Sequence, residues 1–432
     1  MPSPQMRMEI RPQGQLGCEG SSLHGNLYWL PRRPPRPMER RSVTLPRNGI
    51  QLQAELKSES IDDLLQHLLS SWFEAIGRPA EAQEKVLQDL LRAYSTTKLG
   101  KEHAISADLG LQEFRQNLPI FRYEELVPYF DLIEKGEFNA ILADRPVGWV
   151  MTRGTTGQHK VIPVTQNHLD KILICGSRAV TNYVLRTHDY TLLEGKALNL
   201  NFPSVVYQRR LGDQLVSYGY SSGTYARLHP GFIGMELTPP QEDIDEQGAD
   251  LTREGWERRF AVTYEASKGQ NVRCAIGVAP VIRSFARYLK RRHGVFPKKL
   301  WNMHAIFCTS VRNIHWSYEP TLKAQYGAKS GVEIYSATEG VFAQQLNEYL
   351  YVVPNFDAYL FEVVSGGAVK LLHEMRRGEW GRLIVSSRLL PRYDIGDLVE
   401  CTGKGYYRVI GRARTRTFLE QYLRRAITRW FT

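Results

Sequence analysis

The chain has few cysteines, five in 432 residues, and no two of them form a CxxC pair. Cys18, Cys175, Cys274, Cys308 and Cys401 are odd in number and far apart, which argues against a disulfide framework or a cysteine-built zinc site and fits a reducing cytoplasm. Long apolar runs are missing too. None reaches the roughly 18 residues of a membrane-spanning helix, and the N-terminus lacks the apolar stretch of a secretory signal. Internal repeats are absent. What the chain does have is 42% hydrophobic residues over a length that suits two or three structural units, ample for a large core.

A formal net charge of +11 suggests nucleic acid at first sight, but its distribution removes that reading. Residues 1–50 sum to +5 and residues 401–432 to +7, while the 350 residues between them sum to −1. The body is neutral, so no specific nucleic-acid partner is expected. Residues 1–50 include four prolines and three arginines between Pro31 and Pro37. With so little to bury, that segment reads as a disordered Pro/Arg-rich extension.

From Ser60 the pattern becomes helical. Ile61, Leu64, Leu65, Leu68, Trp72, Phe73 and Ile76 fall on one face, Ser60 suits the cap, and Asp62 and Asp63 suit the positive end. A second helix carries Val86, Leu87, Leu90, Leu91 and Tyr94, and a third spans about 167–187. A fourth starts near Pro280 with the stripe Val281, Ile282, Phe285, Tyr288 and Leu289, and stops at Gly294. Strand-like runs lie at 197–201, 305–309, 332–335, 350–353, 359–364, 383–386 and 406–410. The alternation predicts an α/β fold: a large domain of mixed sheets flanked by helices, with a smaller β-rich subdomain towards the C-terminus.

Three spaced motifs carry chemistry. The first is Thr152-Arg153-Gly154-Thr155-Thr156-Gly157-Gln158-His159-Lys160. Its glycines let backbone N–H groups turn towards an anion, its hydroxyls add donors, and Lys160 adds a mobile charge, although the Walker spacing is absent. The second, Tyr335-Ser336-Ala337-Thr338-Glu339-Gly340, sits at the carboxyl end of an expected strand, where ligands of α/β sheets bind. A tyrosine can stack on a base, a threonine can donate to phosphate, and a glutamate can hold Mg²⁺. The third is Tyr393-Asp394-Ile395-Gly396-Asp397 with Gly411-Arg412 beyond it; an aspartate there can accept ribose hydroxyls. Taken singly, each motif also reads as an ordinary turn.

In this order and spacing the three resemble the acyl-adenylate-forming superfamily, which includes firefly luciferase and the acyl-CoA ligases. They match its [ST]-[SG]-G-T-[ST]-G-x-P-K loop, its Y-G-x-T-E motif and its Y-R-x-G-D motif with a downstream arginine. Within it the chain resembles the auxin-responsive acyl-acid amido synthetase family, bacterial-type relatives included. Leu118-Pro119-Ile120, Tyr123 to Leu126, Pro128-Tyr129 and Lys160 to Thr165 support this, and the resemblance covers roughly residues 60–416. It implies an ATP- and Mg²⁺-dependent ligase that adenylates a small carboxylic acid and passes the acyl group to an amine or amino acid. It implies that Thr152, Gly154, Thr155, Thr156, Gly157 and Lys160 wrap the ATP phosphates, and that Tyr335 lies against adenine. It further implies that Thr338 touches the α-phosphate, Glu339 binds Mg²⁺, and Asp397 holds the ribose with help from Arg412. Lys160, Thr338 and Glu339 are the catalytic expectations. A cytoplasmic monomer without a transmembrane segment is expected.

This sequence departs from the family pattern at Arg153, at His159 and at Asp394, which stands in place of an arginine. After Arg412 the family continues for on the order of a hundred residues, whereas 20 follow here, so a truncated C-terminal subdomain is expected. The expected division is an extension at 1–50, an acyl-adenylating ATP-binding domain at 51–400, and a hinge with the start of that subdomain at 401–432. Phe418 to Phe431 make an amphipathic stretch with Arg424, Arg425 and Arg429 largely opposite its apolar side. Three alternatives stand beside the ligase: an acyl-CoA ligase-like enzyme, a nucleotide- or acyl-binding remnant without turnover, and a serine hydrolase. The last rests on Gly219-Tyr220-Ser221-Ser222-Gly223, which fits GxSxG with Ser221 as nucleophile, although Pro230 and further glycines crowd the helix that should follow.

Overall fold

A computed structural model describes residues 60–152, 159–211, 214–232, 235–309 and 311–413. The N-terminal extension, the centre of the Gly/Thr loop and the amphipathic stretch at 418–431 lie outside the described residues. Among the described residues no helix is long and apolar enough to cross a membrane. Among the described residues, Cys175, Cys274, Cys308 and Cys401 are free and buried.

The helix Ile61–Gly77 begins as its sequence dictates. The Ser60 hydroxyl accepts the Asp63 N–H at 3.2 Å, and the Asp63 carboxylate accepts the Ser60 N–H at 3.1 Å, a reciprocal capping box. Its buried stripe is rotated from the expected one. Leu65, Leu69, Trp72 and Ala75 point inward, while Ile61, Leu68 and Phe73 are exposed. The Trp72 indole N–H donates to the Pro354 carbonyl at 3.1 Å, and this buried bond helps set which face turns inward. The other three helices bury the residues expected of them, in Pro79–Tyr94, Gln166–Thr187 and Ala279–His293. The last ends at Gly294 in the left-handed conformation, φ 73°.

Two sheets form. Four strands order as Val161–Thr165, Pro146–Met151, Gln214–Tyr220 and Tyr207–Leu211. The larger sheet has thirteen strands and changes character along its width. Lys196–Leu198, Val272–Val278, Ala305–Thr309 and the first half of Ser330–Ala337 pair in parallel. The second half of Ser330–Ala337 pairs antiparallel with Gly340–Gln345, and the strands beyond continue antiparallel to Ala368–Leu371. One strand therefore belongs to both halves, and its carboxyl end is where the second motif lies. The hairpin of Tyr393–Gly403 and Tyr406–Arg412 carries the chain through residue 400 without leaving the sheet. Seven expected strand positions coincide with strands or overlap them; the strands Pro146–Met151, Val161–Thr165, Tyr207–Leu211, Val272–Val278, Gly340–Gln345 and Tyr393–Gly403 are additional.

Below the point where pairing changes, Glu333 faces His315. His315 is buried, with Nδ1 2.6 Å from Glu319 Oε2 and Nε2 3.5 Å from Glu333 Oε2. Lys323 lies 3.7 Å from Glu319 on the exposed side. Burial pushes the Glu333 carboxyl up from 4.5 to about 7, a rise that His315 only partly offsets. The folded state thus holds a proton that the unfolded chain releases at lower pH. This contribution to stability is complete below pH 4.5 and is lost as pH rises through about 7. The shift corresponds to about 3 kcal/mol. Glu333→Gln is expected to remove most of this slope, so the variant should gain on the natural chain between pH 5 and pH 8. Urea-unfolding midpoints measure this, and parallel pH profiles for the two proteins would exclude it.

Candidate functional site

The first motif is the connection of a β-hairpin. Pro146–Met151 and Val161–Thr165 pair antiparallel with Met151 opposite Val161, and Thr152 and Lys160 stand at the two ends of the connection. Its stem is closed by Thr152 N–H to the Lys160 carbonyl at 2.9 Å and Lys160 N–H to the Thr152 hydroxyl at 3.0 Å. His159 Nδ1 adds a contact to the Thr152 carbonyl at 2.8 Å. Gly154, Thr155, Thr156 and Gly157 lie outside the described residues.

Lys160 points to the third motif. Its Nζ donates to the Tyr393 hydroxyl at 2.8 Å and sits 5.3 and 5.4 Å from the ring centres of Tyr123 and Tyr393. Tyr393 in turn donates to Glu339 Oε1 at 3.3 Å. Lysine of the first motif, tyrosine of the third and glutamate of the second thus form one chain of contacts. Burial, with Glu339 next, pushes the Tyr393 hydroxyl far above its ordinary value, so it stays a neutral donor. Tyr393 was not singled out as a site residue by sequence reasoning; its place at the head of the third motif was the available signal.

The backbone around Tyr393 is braced by the segment that precedes the loop. Phe121 N–H donates to the Arg392 carbonyl at 3.0 Å, and Asp394 N–H donates to the Phe121 carbonyl at 2.8 Å. Buried Arg392 pairs with fully buried Glu362, Nε to Oε2 at 2.9 Å and Nη2 to Oε1 at 3.1 Å, and Arg115 reaches the same carboxylate at 2.8 Å. Asp394, the residue that replaces an arginine of the family pattern, accepts the Gly396 N–H at 2.9 Å and lies 3.4 Å from Arg382. Gly396 has φ +77°, a conformation that L side chains rarely adopt, so the turn needs its glycine.

Asp397 is buried and doubly engaged. Oδ2 accepts the Tyr335 hydroxyl at 2.8 Å, and Oδ1 lies 2.8 Å from Arg412 Nε across the paired strands. Arg412 also donates to the Ile395 carbonyl at 3.0 Å. Burial raises the Asp397 carboxyl above its usual range, opposed by Arg412 and by the Tyr335 hydrogen bond. A ribose held here would share a carboxylate that already has two donors.

Thr338 belongs to a different part of the site. Its hydroxyl is 3.5 Å from the Ser221 hydroxyl, and its carbonyl accepts the Tyr225 hydroxyl at 3.1 Å. His168 Nε2 completes the row, 3.0 Å from Tyr225. Burial lowers His168 to about 4, so near neutral pH the ring is uncharged and can donate to Tyr225. Ser221 opens the helix Ser221–Leu228 after the strand Gln214–Tyr220, so the strand-turn-helix of the GxSxG reading is present. Its glycines have another explanation. A Cβ on Gly219 would lie 1.9 Å from the Ser204 carbonyl oxygen, and one on Gly223 would lie 2.0 Å from that of Phe202. Backbone approach requires both, and the hydroxyl beside Ser221 belongs to a threonine.

Among the described residues no group of three or more histidine, cysteine, aspartate or glutamate side chains could hold a metal ion. Glu339 is a single carboxylate. That suits Mg²⁺, usually held by one or two carboxylates with substrate phosphates, and does not suit zinc.

Known proteins resemble parts of this chain in sequence and in fold. Residues 69–252 match the GH3 family N-terminal domain. A jasmonoyl–L-amino acid synthetase of Nicotiana attenuata, JAR4, is 24% identical over 143 residues, which cover 32% of this chain and 24% of that one. The chain therefore aligns with only about a quarter of that relative's length. The solved structure of AtGH3.15 acyl acid amido synthetase in complex with 2,4-DB aligns with 83% of this chain and 72% of that one, at 16% identity and a TM-score of 0.67. An open conformation of 2-hydroxyisobutyryl-CoA ligase aligns with 78% of this chain and 76% of that one, at 13% identity and a TM-score of 0.54. These likenesses show that the chain shares the fold of those two enzymes, a mixed α/β architecture as expected.

Proposed function

We propose, from the premise that residues 69–252 are a GH3 family N-terminal domain, that the chain is an acid-amido synthetase. It uses ATP to activate a small carboxylic acid as an acyl-adenylate and then joins the acyl group to an amine. The observation that carries this reading is the contact chain Lys160–Tyr393–Glu339, which draws together residues from three motifs spread over 233 positions.

In the first half-reaction a carboxylate oxygen of the acid attacks the α-phosphorus of ATP. The bond from that phosphorus to the bridging oxygen breaks, and pyrophosphate leaves with the electron pair. In the second, the amine nitrogen attacks the acyl carbon, AMP leaves, and the nitrogen loses a proton. No side-chain nucleophile is required. Lys160 brings positive charge towards the phosphates presented by the hairpin loop, and Thr152 holds the neck of that loop. Thr338 offers its hydroxyl to the α-phosphate, with Ser221 and Tyr225 fixing its position. Asp397 accepts ribose hydroxyls, Arg412 orients that carboxylate, and the Tyr335 ring covers adenine. Glu339 would hold a magnesium ion, which supplies charge neutralisation on phosphate oxygens when bound. Tyr393 keeps Lys160 and Glu339 at a set separation, and fixed groups of this kind stabilise developing charge without reorganising. A monomer acting in the cytoplasm fits this chemistry.

Acid-dependent ATP–pyrophosphate exchange over a panel of carboxylic acids tests the reading, followed by product analysis with amino acids present. Exchange with at least one acid and an amide product are expected. No exchange with any acid, together with no ATP binding, refutes it. A thioester with coenzyme A in place of the amide would reassign it to the CoA ligases.

A further inference from the structure

A second cavity lies at the other end of the hairpin that carries Asp397 and Arg412. Asp397 pairs with Arg412, and six residues further along the same strand Gly403 pairs with Tyr406. At about 3.4 Å per residue the two ends are roughly 20 Å apart. The cavity encloses about 390 Å³, within the usual size range of small-molecule sites. Buried Phe356, Met375, Cys401 and Tyr407 make its apolar floor. Arg377 and Lys404 stand on its rim, and among the described residues neither has an acidic group within ion-pair distance.

Two more features set this cavity apart from ordinary surface relief. His373 lines it, and its Nδ1 is buried with no hydrogen-bond partner. Lys404 is held at φ 53° between Gly403 at 104° and Gly405 at 76°. A two-residue turn joins the strands where Gly403 pairs with Tyr406, and such turns take positive φ at both central residues, which fixes where the Lys404 side chain leaves the hairpin. The turn puts Lys404 on the rim beside Arg377, whose stem lies over Gly403.

We propose that this cavity is a second ligand site, distinct from the nucleotide site, for a small amphipathic carboxylate whose apolar body rests on the Phe356–Tyr407 floor and whose anion lies between Arg377 and Lys404. An uncharged ligand would leave both cations unused, and a compact inorganic anion would leave the apolar floor wet. The site does not depend on the function proposed above.

Octanoate is the probe, with octan-1-ol as the uncharged control. Cys401 reports occupancy, because it lines this cavity while Cys175, Cys274 and Cys308 are buried elsewhere. Alkylation of Cys401 by iodoacetamide is followed by peptide mass spectrometry on the full chain. Octanoate should slow it at least fivefold, and octan-1-ol at the same concentration should not. In Arg377→Ala/Lys404→Ala the half-protecting concentration of octanoate should rise about tenfold, the scale expected for losing two partly exposed charge contacts. Lys160→Ala should keep full protection, which separates this site from the proposed nucleotide site. Equal protection by octan-1-ol, unchanged protection in the double variant, loss of protection in Lys160→Ala, or a Cys401 that never reacts would each overturn the proposal.

Discussion

Glu339→Gln is expected to lower acid-dependent ATP–pyrophosphate exchange by about 10²-fold or more while leaving the fold intact. The reason lies in what the change removes. Glutamine keeps the length of the side chain, and its amide oxygen can still accept the Tyr393 hydroxyl that now donates at 3.3 Å. Packing around a residue only 8% exposed therefore survives. What disappears is the negative charge that would balance Lys160 and bind magnesium, and losing one such electrostatic contact typically costs a factor of about 10²–10³. The thermal midpoint should scarcely move, and the magnesium concentration for half-maximal exchange should rise. Tyr393→Phe makes the contrast. It keeps the charge and removes the hydroxyl joining Lys160 to Glu339, so a smaller loss of roughly tenfold is expected, in line with a hydrogen bond to a charged group. If Glu339→Gln exchanged at the natural rate, Glu339 would not be the metal-binding group, whatever Tyr393→Phe does.

Removing Glu362 should have the largest effect on stability. Its carboxylate is fully buried and receives Arg392 through two contacts and Arg115 through a third. Glu362→Ala leaves two guanidinium groups beside an empty space, one of them buried, and breaking a buried pair in this way costs about 3–5 kcal/mol. Arg392 immediately precedes Tyr393, so the loosened strand should also disturb the Lys160–Tyr393–Glu339 chain. Urea unfolding measures the first consequence. ATP–pyrophosphate exchange, assayed well below the unfolding midpoint, measures the second. A loss of less than about 1 kcal/mol would mean that water or another side chain compensates Arg392, and the pair would then be no more than a surface-type contact.

Much of the candidate site was legible in the chain itself because its chemistry is concentrated in short runs. Gly, Thr and Lys crowded into residues 152–160 suit a phosphate as well as a turn, and a threonine and glutamate placed just after a strand point to its carboxyl end; the order of the three motifs chose between the readings. The GxSxG run was the misleading case. Two glycines around a serine satisfy the pattern, yet Gly219 and Gly223 are small because the backbone at 202–204 passes against them. Local composition cannot separate a glycine needed for a turn from one needed by a distant neighbour. The same limit explains the rotated face of the first helix. Ile61, Leu68 and Phe73 are as apolar as Leu65 and Leu69, and the choice between faces was made with the help of Pro354, 282 residues beyond Trp72.

The chain by itself determined its local structure and the residue types of its candidate site: the capping box at Ser60, the helical stripes, and the three motifs in order. Those follow from interactions within a few residues, where hydrogen-bonding groups and periodicity are written directly in the sequence. Only the tertiary structure decided that Ser330–Ala337 would serve both the parallel and the antiparallel half of the sheet, that Tyr393 would stand between Lys160 and Glu339, and that Arg377 and Lys404 would share the rim of one cavity. Each of these depends on strand pairings between residues far apart in the chain, and pairing partners are chosen by the packing of the whole sheet, not by either strand alone.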